Sequence, residues 1–166
     1  MGMSVIISVA TEQDTEQILK LQYLAFQGEA ELYGDWSIEP LTQSLEDLRE
    51  ELADRHVLVA RLGGEVVGSV RGWVDEDGVG RISRLAVHPR MQRHGLGGRL
   101  MSAVEERMLA ERPVHAFRLF TGHRSLGNLR LYARQGYRET EVRPVNRLLS
   151  HVTLEKPVPV ALATAV

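Results

Sequence analysis

The 166-residue chain contains no cysteine. Disulfides, thiolate metal sites and cysteine nucleophiles are therefore excluded, and a cytoplasmic location is the default expectation. No apolar run approaches the roughly 20 residues that cross a bilayer, so no membrane partner is expected. The opening Met1-Gly2-Met3-Ser4 lacks the basic-then-apolar layout of a secretory signal, and Ile6 stands where a myristoylation motif needs Ser or Thr. Neither sign of charge prevails: 20 Lys and Arg face 22 Asp and Glu, a net charge of -2, so the whole-molecule field does not predict a nucleic-acid partner. Among His56, His88, His94, His115, His123 and His151 no pair has the short spacing of a zinc helix, and no metal is expected. Internal repeats and low-complexity linkers are also missing.

What is present is the composition of an ordinary globular protein, 43% hydrophobic and 25% charged, at a length suited to one core. The reading is one domain over residues 1–156, followed by a small, apolar, proline-bearing tail over 157–166. Val5 to Val9 is a β-branched run, and Thr11 caps a helix with Glu12 and Asp14 in its first turn. Ile18, Leu21, Leu24 and Ala25 carry that helix to about Gln27, after which Gly28 opens an acidic loop containing Tyr33, Gly34, Asp35 and Trp36. Ser44 with Asp47 caps a second helix, whose apolar face is Leu45, Leu48 and Leu52. His56 to Leu62 and Glu65 to Val74 form a hairpin, and a third antiparallel strand runs from Arg81 to Val87. Pro89 stops that strand, and Leu96, Leu100, Val104 and Met108 mark a helix to about Ala110. A strand from His115 to Thr121, a helix from Ser125 to Gln135 closed by Gly136, and a hairpin of Tyr137 to Val142 with Arg147 to Leu154 complete the chain.

The chemistry concentrates between Arg81 and Leu100. The strand end Leu85-Ala86-Val87-His88-Pro89 is followed by Gln92-Arg93-His94-Gly95-Leu96-Gly97-Gly98 and then a helix. Glycines let the backbone approach an anion, and the free N–H groups and dipole of a helix start favour a diphosphate. A dinucleotide fingerprint would need G-x-G-x-x-G in a parallel unit, and a P-loop would need Gly-Lys-Ser/Thr; neither occurs. A second motif follows about thirty residues later: Asn128-Leu129-Arg130-Leu131-Tyr132-Ala133-Arg134-Gln135-Gly136-Tyr137. Together the two motifs resemble those of the GNAT superfamily of acetyl-coenzyme A dependent N-acetyltransferases.

The resemblance implies an α/β (α+β) fold: a mixed, mostly antiparallel central sheet of about six to seven strands flanked by about four helices. It implies that the backbone of Leu85, Ala86 and Val87 pairs with the pantetheine arm of acetyl-coenzyme A, and that the Leu85 amide polarises the acetyl carbonyl. The N–H groups of Arg93, His94, Gly95, Leu96, Gly97 and Gly98 would take the pyrophosphate, with Gln92 bracing the turn. Asn128 would contact the cofactor, and Tyr132 would act as general acid toward the departing thiolate. Relatives often carry a Glu at about the place of Arg81 or Ser83, so the base stays open among Glu29, Glu31, Asp35 and His123. Glu29, Tyr33 and Trp36 form the expected acceptor wall, receiving a cationic amine by charge and cation-π contact. The expected reaction is acetyl transfer to a primary amine of a small molecule. The alternatives are transfer to a protein or peptide, or a non-catalytic acyl-coenzyme A sensor on the same fold. A homodimer through the C-terminal strands or tail is expected by analogy.

Overall fold

Strand β2 (His56–Leu62) carries apolar residues on both faces, and this double alternation dictates a sheet covered on both sides. In the computed structural model, which describes residues 4–160, Val57 and Val59 enter one buried cluster with Ile18, Leu21 and Leu48. Leu58 and Ala60 enter the other, with Leu100, Val104 and Met108. The first cluster lies under α1 (Thr15–Ala25) and α4 (Leu45–Asp54), the second under α5 (Leu96–Glu111). The remaining strands are β1 (Val5–Val9), β3 (Glu65–Val74), β4 (Val79–Val87), β5 (Ala116–Gly122), β6 (Arg138–Pro144) and β7 (Ser150–Pro157). They form one seven-stranded sheet in the order β1-β2-β3-β4-β5-β7-β6. All neighbours are antiparallel except β4 and β5. The expected mixed, mostly antiparallel sheet is thus observed.

The local signals act as read. Ser44 Oγ accepts from Asp47 N at 3.1 Å, capping α4. Asp14 accepts from Thr11 N at 2.7 Å and takes both guanidinium nitrogens of Arg61 at 2.6 Å, which fixes the start of α1 against β2. That arginine holds the Asp14 carboxyl below its ordinary range. Gly136 closes α6 (Leu126–Arg134) with a φ of +96°.

The span from Gln27 to Leu41 differs from the expected loop. It contains α2 (Gln27–Tyr33) and most of α3 (Glu39–Thr42), so the helical segments exceed the four anticipated. Helix α1 stops at Ala25, and Phe26 turns the chain into α2. Gly34, at φ +65°, ends α2 in the left-handed conformation. Within the tail, β7 extends to Pro157 and Val158 N donates to His115 O at 2.9 Å; 161–166 lie outside the described residues.

Two features of β4 open the sheet. First, β4 pairs with β5 only through Val79↔Ala116, Gly80↔Phe117 and Arg81↔Arg118. Second, the β3 register passes from Arg71↔Ser83 to Ser69↔Ala86, so Arg84 and Leu85 together stand opposite Val70. This is a β-bulge, with Arg84 at φ +55°. The extra residue reverses the parity of the strand: Ile82, Leu85 and Val87 pack on the α5 side, and Ala86 packs under α1. Beyond Arg81, β4 and β5 part, and β5 continues paired to β7 as far as Gly122↔His151.

Glycine at position 80 is demanded at the closed end of this opening, since a Cβ there would meet Phe117 Cδ1 at 2.5 Å. Gly80→Ala is expected to destabilise by about 1–3 kcal/mol through overpacking, read as a melting temperature lowered by roughly 2–4 °C per kcal/mol. Gly28→Ala, in a helix with nothing within 4 Å of the added methyl, is expected to raise stability by roughly 0.5 kcal/mol in the same thermal scan.

Candidate active site

The parting of β4 and β5 leaves a cavity of about 220 Å³. Ile82 to Leu85 line one side and Leu119 to Gly122 the other. Phe26, Glu29 and Tyr33 close it from the α1–α2 region, Asn128 and Tyr132 from α6, and Leu149 and His151 from the β6–β7 connection and β7.

Tyr33 is the joint between α2 and the loop after β5. Its hydroxyl accepts from Arg124 N at 3.0 Å and lies 2.8 Å from Ser125 Oγ. Ser125 Oγ donates to Glu29 Oε2 at 2.9 Å, which orders a chain from the Tyr33 phenol through Ser125 to the carboxylate. The fit leaves no room for a side chain at position 122, where a Cβ would come within 2.1 Å of the Tyr33 oxygen. Tyr33 therefore lines the cavity with its hydroxyl already committed to the protein.

Glu29 and Tyr132 both line the cavity. Burial raises the Glu29 carboxyl above the ordinary carboxylate range, and the Ser125 hydrogen bond opposes this only partly. Asn128 Nδ2 donates to Thr121 Oγ1 at 3.2 Å and reaches Glu29 Oε1 at 3.5 Å. Tyr132, one helical turn beyond Asn128, is buried. Burial first, and the Glu29 charge second, push its phenol far above the usual range, so it keeps its proton at neutral pH. The cavity thus contains one carboxylate suited to taking a proton and one phenol suited to giving one.

The glycine turn stands beside the cavity. A 3-10 turn over Pro89–Met91 follows β4, and His88 Nδ1 accepts from Arg90 N at 3.1 Å. Gln92 Nε2 donates to Val87 O at 3.3 Å. Arg93 at φ +68° and Gly95 at φ +76° reverse the chain into α5, whose start has no side-chain cap. Its first-turn N–H groups are consequently available to an anion. Arg93, His94 and Gly95 are exposed, while Leu96 is buried and anchors the turn. A Cβ on Gly97 would point inward, 3.0 Å from Leu131 Cδ2 and 3.9 Å from Leu85 Cδ2. Gly97 therefore lets α5, α6 and β4 meet, joining turn to cavity.

The structure gathers Leu85, Glu29, Tyr33, Asn128 and Tyr132 around one space and sets the turn from Gln92 to Gly98 at its flank. Trp36 is not brought in: it is 56% exposed and does not line the cavity. Among the other base candidates, Glu31 is exposed, and His123 Nδ1 accepts from Ser150 N at 2.9 Å outside the cavity. Asp35 lines the rim, but Ser37 N and Oγ hold its carboxylate at 2.9 and 2.6 Å and keep it below the usual range. Arg81 pairs with Asp75 at 2.9 Å, away from the cavity, which Ser83 lines. Sequence reasoning missed Arg84, Ser125 and His151. Ser125 had a signal, being the residue that precedes the Asn128 helix. His151 had none, because only the β5–β7 register brings it opposite Gly122.

The Acetyltransferase (GNAT) family profile matches residues 16–137, which holds both motifs and most of the cavity. No curated protein sequence matches significantly. Solved structures share the architecture at low identity. The ribosomal-protein-S18-alanine N-acetyltransferase of Escherichia coli is 17% identical with a TM-score of 0.74, over 93% of this chain and 94% of that one. A ribosomal-protein-alanine N-acetyltransferase of Brucella melitensis is 23% identical with a TM-score of 0.73, over 92% and 99%. The Salmonella typhimurium protein yncA, in a structure with its cofactor acetyl-CoA, is 20% identical with a TM-score of 0.72, over 94% and 95%. With a family match over most of its length and that family's fold around the opening between β4 and β5, the chain belongs to the GNAT family of acetyltransferases.

Proposed function

We propose that the protein transfers the acetyl group of acetyl-coenzyme A directly to a primary amine of a small molecule. The observation that carries this reading is the proximity of Glu29 and Tyr132 in one cavity at the open edge of β4. The donor fits the residues present. The edge of β4 from Leu85 to Val87 is unpaired on its β5 side, and the uncapped start of α5 supplies amides and a dipole for a diphosphate. Acetyl-coenzyme A supplies the activated thioester.

In the transfer, the amine nitrogen forms a bond to the acetyl carbon and the carbon–sulfur bond breaks. An acceptor ammonium first loses a proton to solvent. Glu29 takes the second proton as the nitrogen becomes an amide, and Tyr132 returns one to the departing sulfur. Burial keeps the phenol protonated until charge develops on the departing sulfur, and the proton is transferred as that charge forms. Covalent catalysis by the protein is not required, in keeping with a cysteine-free chain.

A small acceptor is favoured over a peptide because α2 and the β6–β7 connection both close over the cavity. A peptide would need a groove that continues past the reacting nitrogen.

Tyr132→Phe is expected to lower kcat by about 100- to 10,000-fold with acetyl-coenzyme A affinity unchanged; an unaltered kcat in a thiol-release assay would remove the phenol from the chemistry. Since Glu29 works as its anion and burial raises its pKa, activity is expected to fall as pH drops through a value above the usual carboxylate range. Glu29→Gln should abolish that limb of the kcat/KM profile as well as most of the rate, and a wild-type limb retained in the variant would exclude Glu29 as the base. Gly95→Asp keeps a residue that tolerates positive φ and can cap α5 but sets a carboxylate at the proposed diphosphate site. Calorimetry should show coenzyme A binding weakened at least about tenfold with the melting temperature preserved, and equal affinity would move the diphosphate elsewhere.

A further inference from the structure

Among the described residues one permanent cation lines the cavity, and the acetyl-transfer reading gives it no task. Arg84, on the bulge next to Leu85, is the sole Lys or Arg among the described residues lining the cavity. Its φ of +55° is a conformation that a residue with a Cβ rarely adopts, and it persists only where the surroundings enforce it. Arg84 Nη2 donates to Glu39 Oε2 at 3.0 Å, yet the Glu39 side chain is 87% exposed, so this pair is screened by solvent. Arg84 Nε is buried with no hydrogen-bond partner.

The charge behind Arg84 makes the deficit larger. Arg71 is fully buried, pairs with Glu51 at 2.7 Å and donates to Gln22 and Gln43. It remains charged, its pKa lowered to about 10 chiefly by burial and also by Arg84. The two guanidinium groups therefore repel one another, and the half-buried carboxylate of Glu51 is already shared between Arg71 and Arg55. A second anion delivered from the cavity side would complete the arrangement, and a guanidinium fork suits a carboxylate.

The same cavity is lined by the Glu29 carboxylate. Glu29 is held there by Ser125 and Asn128, beside Tyr132. Much of the remaining lining is apolar: Phe26, Ile38, Leu119, Phe120 and Leu149. From this layout, and resting on the acetyl-transfer reading above, we infer that the acceptor is an amino acid with an apolar side chain, its carboxylate on Arg84 and its amine directed to Glu29. Arg84 is then a specificity residue for the acceptor. The bonds made and broken are those of the transfer itself, and the carboxylate is unchanged by the reaction.

The test compares matched acceptors that differ only in the carboxylate: leucine against isoamylamine, phenylalanine against phenethylamine and tryptophan against tryptamine. Thiol release at saturating acetyl-coenzyme A gives kcat/KM for each, in the wild type and in Arg84→Gln and Arg84→Lys. For at least one pair the wild type is expected to favour the acid by at least about 100-fold, because its loss leaves a buried polar group unmatched. Arg84→Gln should bring the ratio near one through a raised KM for the acid, with Arg84→Lys between the two. Unchanged coenzyme A affinity by calorimetry establishes that the variants are folded. Thiol release with ratios near or below one in the wild type, or a ratio that survives Arg84→Gln, would overturn the carboxylate assignment and leave acetyl transfer standing. If acetyl-coenzyme A binds but no acceptor of any pair releases thiol, the transfer reading fails and this inference fails with it.

Discussion

The bulge that sets Arg84 and Leu85 against the single residue Val70 is the constraint on which the site depends. A regular β4 would keep Ile82, Arg84 and Ala86 on one face. With the extra residue, Ile82 and Leu85 share the α5 side and Ala86 goes to the α1 side. The bulge also accompanies the parting of β4 from β5 after Arg81. Hydrogen-bonding groups that would be consumed in a continuous sheet are thereby left for a ligand. One inserted residue yields the cavity, its unpaired edge and its one cation.

Around that opening the protein separates charges by burial. Glu29 and Tyr132 come from α2 and α6; burial raises the proton affinity of both, and the Glu29 charge raises that of Tyr132 further. Their states at neutral pH follow from ordinary values: a carboxylate lifted from about 4 and a phenol lifted from about 10 leave one group ready to accept a proton and the other ready to donate. Glu105 of α5 and Tyr137 make a direct hydrogen bond, in which the phenol donates at 2.7 Å and Lys156 covers the second carboxylate oxygen at the same distance. That carboxylate is paired with a lysine, whereas the Glu29 carboxylate has no cationic partner among the described residues and is held by Ser125.

Much of the fold was legible in the residues. The β2–β3 hairpin, the Ser44 cap and Gly136 each act over a few residues, and each appears where expected. The span from Gln27 to Leu41 reads as a loop because Gly28, Gly34 and Pro40 interrupt any helical period there. What makes α2 a helix is tertiary: Tyr33 is buried against Gly122, in contact with a loop more than eighty residues away. The short helices hold acidic residues whose surface placement gives no amphipathic stripe to read.

The sequence by itself determined the glycine turn, the helix that follows it, the helix bearing Asn128 and Tyr132, and through them the family, because such motifs are contiguous and their backbone demands are local. The tertiary structure alone decided which charged groups share the cavity. Glu29 meets Ser125 across 96 positions, His151 arrives by the insertion of β7 between β5 and β6, and Trp36 is left outside. Side-chain direction in a strand reverses with a single residue of register, so Arg84 faces its partners only because of a bulge that depends on pairing with β3.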